Sequence, residues 1–176
     1  MTTARPRRVA SAALLCAATS LPVPAASAAE ADFLDRFRGR WSGSGTVQRE
    51  GRSPPRQVTC SVTGYPDENR LSIQGTCRAA VVFSRPVGAD LTYDPRSGTY
   101  SGTYTGSRIG PARLTGSRSG DAVNLRIDWP RPVNGDTQAA MVIRNDGRGG
   151  LRLTVADNLS PGGPVRQISE IVLQRR

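Results

Sequence analysis

The amino-acid sequence predicts an all-β protein, an antiparallel up-and-down barrel of about ten strands with a short N-terminal helix. Three observations lead to this fold class. Apolar and polar residues alternate with period two in almost every segment after Gly39, which indicates strands with one apolar face. Short turns rich in Gly, Pro, Asn and Asp separate these segments, and no crossover helix lies between them. Because open strand edges promote aggregation, the strands must close into a barrel, or stack as a two-sheet sandwich, which is the alternative.

Residues 1–28 are typical of a secretory signal peptide. Three arginines in the first eight residues precede an apolar segment, Val9–Leu21, and Ala26-Ser27-Ala28 predicts cleavage after Ala28. The alternative is a retained membrane anchor, but the apolar segment is short and ends at prolines. Cleavage after residue 28 of 176 leaves residues 29–176 as a single β-barrel domain. We therefore expect a bacterial periplasmic or secreted protein with no transmembrane segment in its mature part.

Composition limits both the chemistry and the partners. The chain has 24 basic and 14 acidic residues, a net charge of +10, and no histidine, and every basic residue is arginine. This excludes Ser-His-Asp and Cys-His nucleophilic sites, histidine-ligated zinc or haem, and lysine Schiff bases. We predict no cofactor and no metal. The positive charge favours an anionic envelope surface, whereas the alternative is a compositional preference for arginine; an exported protein is not expected to bind nucleic acid.

The mature part begins with a helix and a strand. Phe33, Leu34 and Phe37 recur at spacings of three and four residues before a glycine, which predicts a helix over Glu30–Arg38. The alternating segment Trp41–Val47 is the first predicted strand.

A hairpin with a disulfide follows. Cys60 and Cys77 lie on two alternating segments, and counting outward from the middle of their turn places them directly opposite each other, with Val62 opposite Gly75. Opposed positions bring the Cβ atoms close enough for a disulfide, which an exported protein retains. Closing this loop is worth about 3 kcal/mol. A reactive redox pair is the alternative, but the spacing is not Cys-x-x-Cys. The third cysteine lies in the leader.

The remaining chain continues as alternating segments separated by turns. The seven further predicted strands are Pro86–Tyr93, Thr99–Gly106, Gly110–Arg118, Val123–Trp129, Thr137–Arg144, Leu151–Val155 and Val165–Arg175.

The motif Phe37-x-Gly39-x-Trp41 after a short helix resembles the Gly-x-Trp motif of lipocalins and other calycins. The resemblance implies that Trp41 plugs one end of the barrel and that Arg175 or Arg176 packs across it. Ten strands are closer to fatty-acid-binding and nitrobindin-like barrels than to eight-stranded lipocalins. Nitrobindin-like barrels hold haem through histidine, so a haem role does not carry over to this chain.

The longer pattern Phe-x-Gly-x-Trp-x-Gly-x-Gly, followed by a cysteine pair across a hairpin, resembles small exported proteins of alphaproteobacteria. This resemblance covers most of the mature chain and agrees with the predicted export.

Three aromatic residues are candidates for ligand binding. Tyr100 and Tyr104 share one face of their predicted strand with Gly102 and Gly106, and small residues beside aromatic ones leave room for a ligand. Trp129 ends another apolar face. The alternatives are that the glycines mark bends and that the aromatic residues fill a solid core. Ligand carriage requires a cavity of about 300 Å³ or more.

Catalytic groups are not evident in the pattern. The acids to consider for glycosidase-type chemistry are Asp121, Asp128, Asp136, Asp146 and Glu170, but nothing fixes two of them at catalytic distance. We predict that the protein is not an enzyme.

Three functions remain. The first is binding of a small hydrophobic or amphipathic ligand inside the barrel. The second is a protein-binding module, similar to a protease inhibitor, that uses the loops at 49–56 and 130–136. The third is electrostatic attachment to the anionic envelope surface.

Overall fold

A closed barrel of ten antiparallel strands confirms the predicted fold class. The computed structural model describes residues 25–48, 54–80 and 83–176, so most of the predicted leader and most of the loop at 49–56 lie outside the described residues. Each strand pairs with its neighbours in sequence, and the first pairs with the last. The elements are α1 (Ala25–Asp35), β1 (Gly39–Val47), β2 (Arg56–Asp67), β3 (Arg70–Ala79), β4 (Phe83–Asp94), β5 (Thr99–Thr105), β6 (Ala112–Ser119), β7 (Ala122–Val133), β8 (Asp136–Asn145), β9 (Gly150–Asp157) and β10 (Arg166–Arg175).

Helix α1 lies earlier in the chain than the sequence pattern predicts. It spans Ala25–Asp35 rather than Glu30–Arg38, because the alanines before Glu30 have the highest intrinsic preference for a helix. After Asp35 the chain tightens into i→i+3 hydrogen bonds, and Phe37 N donates to Leu34 O over 3.0 Å, as is common where helices end. The predicted cleavage site after Ala28 therefore lies within this helix.

The hairpin of β2 and β3 has the predicted register. Cys60 lies opposite Cys77 and Val62 opposite Gly75, and a disulfide joins the two cysteines. The Cys60 side chain is buried and faces the barrel interior. The disulfide is therefore an internal cross-link between two neighbouring strands, and the structural interpretation of the cysteine pair is confirmed.

Reduction of this bond should destabilise the barrel by about 3 kcal/mol, since the unfolded chain then regains the freedom of an 18-residue loop. Urea unfolding with and without dithiothreitol measures the effect as a lower midpoint in the reduced protein. A variant with Cys60→Ser and Cys77→Ser is the control, because its midpoint should match the reduced protein and not respond to dithiothreitol. An equal midpoint for oxidised and reduced wild type would contradict the prediction.

The two ends of the barrel differ. Helix α1 precedes β1, and its C-terminal turn contacts the β6–β7 and β8–β9 turns: Arg36 Nη1 donates to Asp121 over 2.8 Å and Asn145 Nδ2 donates to Arg36 O over 2.9 Å. We call this the closed end. Connections in an up-and-down barrel alternate between ends, so the β1–β2, β3–β4, β5–β6, β7–β8 and β9–β10 loops lie at the other end, which we call the open end.

Strand glycines mark places where neighbouring strands come very close. At Gly102, an added Cβ atom would overlap the carbonyl oxygen of Asp90 and lie 3.0 Å from the Cα atom of Leu91 on β4. The same holds for Gly43, Gly45, Gly75 and Gly116 against their own partner strands. These glycines allow the strands to bend sharply and the barrel to close. At Gly102, the missing side chain therefore serves strand packing and does not create ligand space.

Candidate functional site

Aromatic side chains from α1 and β1 fill the closed end. Phe33, Phe37 and Trp41 are almost fully buried, and Trp41 Nε1 donates to Phe37 O over 2.9 Å. The guanidinium of Arg175 lies 4.6 Å from the centroid of the Trp41 ring and donates to the carbonyl oxygens of Arg36 and Arg38. Arg175 therefore packs across Trp41 and ties the end of β10 to the segment that follows α1. Because this end is packed solid, it offers no route into the barrel.

A buried polar cluster fixes α1 to the strands. Glu30, which is 5% exposed, accepts hydrogen bonds from the Tyr100 hydroxyl on β5 and from Arg118 Nε on β6, the latter over 2.8 Å. The Arg118 guanidinium also lies 4.7 Å from the centroid of the Phe33 ring. Burial and the hydrogen bond to Glu30 raise the pKa of Tyr100, so its hydroxyl stays protonated and remains a donor. Tyr100 therefore belongs to the closed end.

The interior is not filled toward the open end. An apolar cavity of about 80 Å³ lies there, and the disulfide forms part of its wall. Several side chains that face this space are only partly buried, although they occupy inward positions on their strands. Its wall includes Val87, Ala89, Tyr104, Met141, Leu153 and Val155.

The cavity is smaller than the volume that we expected for a barrel that carries a ligand. Sites for drug-sized ligands measure roughly 300–1,000 Å³, whereas this one measures about 80 Å³. The prediction that the barrel encloses a whole ligand is therefore wrong, and the cavity has room only for a short, slender apolar group. Any larger part of a ligand must lie outside the cavity, toward the open end of the barrel.

Tyr104 on the cavity wall packs against Trp129, which bonds to the Asp157 carboxylate at the open end of β9; we call these three side chains the mouth. The Tyr104 and Trp129 rings pack edge to face with centroids 6.2 Å apart, and Trp129 Nε1 donates to Asp157 Oδ2 over 3.3 Å. Asp157 is 2% exposed, and its Oδ1 accepts a hydrogen bond from the Asn158 amide over 2.8 Å. Burial raises the pKa of Asp157 above its ordinary value. Burial also raises the pKa of Tyr104, against the opposing effect of the positive charge of Arg85.

A second polar layer supports Asp157. The side-chain amide of Asn158 donates to Asp136 Oδ2 over 3.1 Å, and Asn134 Nδ2 donates to Asn158 O over 2.8 Å. The negative charge of Asp136 contributes to the raised pKa of Asp157. The buried Asn158 Oδ1 has no hydrogen-bond partner among the described residues. Buried acceptors of this kind are rare and call for an explanation.

The predicted site residues separate into two groups. Tyr104 and Trp129 meet at the mouth, while Tyr100 lies at the closed end with Trp41 and Arg175. The sequence interpretation missed Asp157. The alternation of Leu151, Leu153 and Val155 continues to position 157, so extending that strand by two residues would have placed a carboxylate on its inner face.

The acids considered for catalysis lie on turns and on the outer surface. Asp121 forms an ion pair with Arg36, and Glu170 forms one with Arg152. Asp128 forms ion pairs with Arg113 and Arg126. Asp146 accepts backbone hydrogen bonds within its turn, and these lower its pKa. Within the described ranges, no cluster of three or more Cys, Asp or Glu side chains could hold a metal ion. In the same part of the chain, no helix is long and apolar enough to cross a membrane.

Comparisons with known proteins support the fold and leave the function open. No protein-family model matches the sequence, and no curated protein sequence matches it. Among solved structures, the chain is similar to the crystal structure of Rv2717c from M. tuberculosis, with a TM-score of 0.61 and 19% identity. The match covers 88% of this chain and 98% of that one. At this level of identity, the likeness concerns the barrel fold alone.

Proposed function

We propose that the chain is an exported, calycin-like binding protein that holds a small apolar or amphipathic molecule in the open half of its barrel. The observation that carries this proposal is the apolar cavity beneath the open end, where inward-facing side chains are left half-buried. A barrel built only for rigidity would fill this space, since unfilled apolar volume is destabilising. The disulfide on the cavity wall suits the oxidising compartment that the predicted leader implies.

The dimensions of the cavity define the ligand class. A chain of a few carbons fits the space between the disulfide and the mouth, and a polar head group then lies beside Tyr104 and Trp129. The solid closed end allows entry only from the open end. The ligand is therefore a slender molecule that enters with its apolar end first.

Filling the cavity should abolish binding. Val155 faces the cavity, and Val155→Phe would occupy it, whereas Thr154→Phe adds the same ring at the neighbouring position that faces outward. Titration calorimetry with hexanol should show binding to the wild type and to Thr154→Phe, and at least a tenfold weaker affinity for Val155→Phe. Native mass spectrometry of protein purified gently from a homologous periplasm should show a discrete added mass that is lost on denaturation.

Two results would contradict the proposal. One is the absence of hexanol binding to the wild type together with a bare chain in native mass spectrometry. The other is unchanged hexanol affinity in Val155→Phe, which would place the bound molecule elsewhere.

A rim that engages the envelope or another protein is the second candidate function. It is favoured by Phe83 and Val165, which are 65% and 69% exposed and lie where β4 and β10 begin at the open end. Cosedimentation with anionic vesicles at low salt, and its loss at high salt, tests the envelope version. Capture of a specific periplasmic protein that is lost on Phe83→Ser tests the protein version.

A further inference from the structure

The carboxylate at the mouth has an unusual position for a structural residue. Asp157 is the inward position on β9 that follows Leu153 and Val155, both of which line the cavity. Among the described strand residues, it is the only acid that faces inward in the open half. Its location between an apolar cavity and the solvent suits the polar head of an amphipathic molecule.

Asp157 also lacks a counter-charge. The other deeply buried acid, Glu30, pairs with Arg118, but no ion pair of the described residues includes Asp157. Arg85, whose charge acts on Tyr104 from β4, is not paired with it either. Its bonds come from neutral donors, the Trp129 indole and the Asn158 amide. A buried carboxylate of this kind is costly unless a cation approaches it.

The surroundings of Asp157 are suited to a cation. The Trp129 indole donates to the carboxylate and its ring packs against Tyr104 on the cavity wall, and aromatic faces attract positive groups. The charge of Asp136, whose carboxylate accepts a hydrogen bond from the Asn158 side chain, also acts on Asp157 and adds to the negative potential there. A primary ammonium group supplies both a positive charge and three N–H donors.

From these contacts we infer that the ligand is a slender cationic amphiphile, an alkyl amine in chemical class, whose ammonium group binds Asp157 while its chain occupies the cavity. The inference rests on the proposed function. The cavity accounts for the alkyl chain of the ligand, and the Trp129 ring and the Asp157 carboxylate account for its cationic head group.

Three probes with the same chain and different heads test the inference: hexylamine, hexanol and hexanoate. Titration calorimetry at pH 7 should give at least tenfold tighter binding of hexylamine than of either other probe to the wild type. Asp157→Asn keeps the shape and an acceptor oxygen but removes the charge. We expect it to lower hexylamine affinity to that of hexanol and to leave hexanol affinity unchanged. Asp90→Asn, which removes an exposed acid from β4, is the matched control and should behave as the wild type.

The outcomes separate the two proposals. Equal affinity for hexylamine and hexanol, or a preference for hexanoate, overturns the inference and leaves the proposed function standing. Binding of none of the three probes overturns both. Unchanged preference for hexylamine in Asp157→Asn also overturns the inference, because the charge that selects the amine would then lie elsewhere.

The unliganded protein gives an independent readout. Because burial raises the pKa of Asp157, the folded protein holds this proton to a higher pH than the unfolded chain does, and stability falls as pH rises above 3.8. Asp157→Asn should therefore melt at a higher temperature than the wild type at pH 7, and the difference should disappear as the pH approaches 4. Hexylamine should raise the melting temperature of the wild type more than that of Asp157→Asn, because it binds the wild type more tightly. A lower melting temperature for Asp157→Asn at pH 7 would indicate a structural role and overturn the inference.

Discussion

Glu30→Ala should lower the free energy of unfolding by about 3–5 kcal/mol, the largest effect we expect for a single charged residue in this chain. The substitution leaves the partly buried Arg118 without its carboxylate and leaves the buried hydroxyl of Tyr100 without an acceptor. It also releases α1 from β5 and β6, so the aromatic packing of the closed end loses its support. Urea unfolding followed by circular dichroism measures the effect.

The same helix offers a matched control. Asp35 pairs with Arg38 over 2.7 Å, but both side chains are 60% exposed. Asp35→Ala should therefore cost less than about 1 kcal/mol. If Glu30→Ala and Asp35→Ala cost the same, the buried cluster does not hold the helix. Glu30→Gln keeps an acceptor for Tyr100 and should give an intermediate value.

Gly102→Ala should cost about 3 kcal/mol or more, and Gly102→Val should prevent the barrel from closing. The added Cβ atom overlaps the backbone of β4 at Asp90, and a backbone atom cannot move aside as a flexible side chain would. Strands β4 and β5 would have to separate and lose the pairing of Leu91 with Gly102. Thermal unfolding of the alanine variant, and the yield of folded valine variant, measure the effect.

Gly98 in the turn of the same hairpin is the control. Its φ is +69°, but nothing lies within 4 Å of an added Cβ atom. Gly98→Ala therefore suffers only the backbone strain of a left-handed residue, about 1 kcal/mol. Equal losses at the two positions would show that close strand packing is not what requires glycine at 102.

The sequence pattern sufficed to predict the strands and the disulfide because both depend on local order along the chain. Period-two alternation places Cys60 on the inner face, and a short turn fixes which residue lies opposite it. The start of α1 was not predictable from apolar spacing, because the first five residues of the helix, Ala25–Ala29, contain no large apolar side chain. The pattern of Phe33, Leu34 and Phe37 marks only the part of the helix that packs on the barrel.

The candidate site was only half predictable for a geometric reason. Alternation shows which face of a strand a residue occupies, but not its height in the barrel. Tyr100 and Tyr104 share a face, yet four residues of strand separate them by about 13 Å, which places one at the closed end and the other on the cavity wall. Asp157 was missed because the inward position it occupies on β9 is acidic, so the alternation of apolar residues stops at Val155.

The seam between β1 and β10 pairs Trp41 with Arg175, residues that belong to the first and the last strand of the barrel. Contacts between residues so distant in sequence form slowly, because the intervening chain loses conformational entropy before the strand pairing stabilises the fold. Until β10 is available, β1 and β9 both present unpaired edges that attract other strands. The barrel therefore completes its folding only after β10 has been synthesised, and a chain truncated before β10 is expected to aggregate rather than form a smaller barrel.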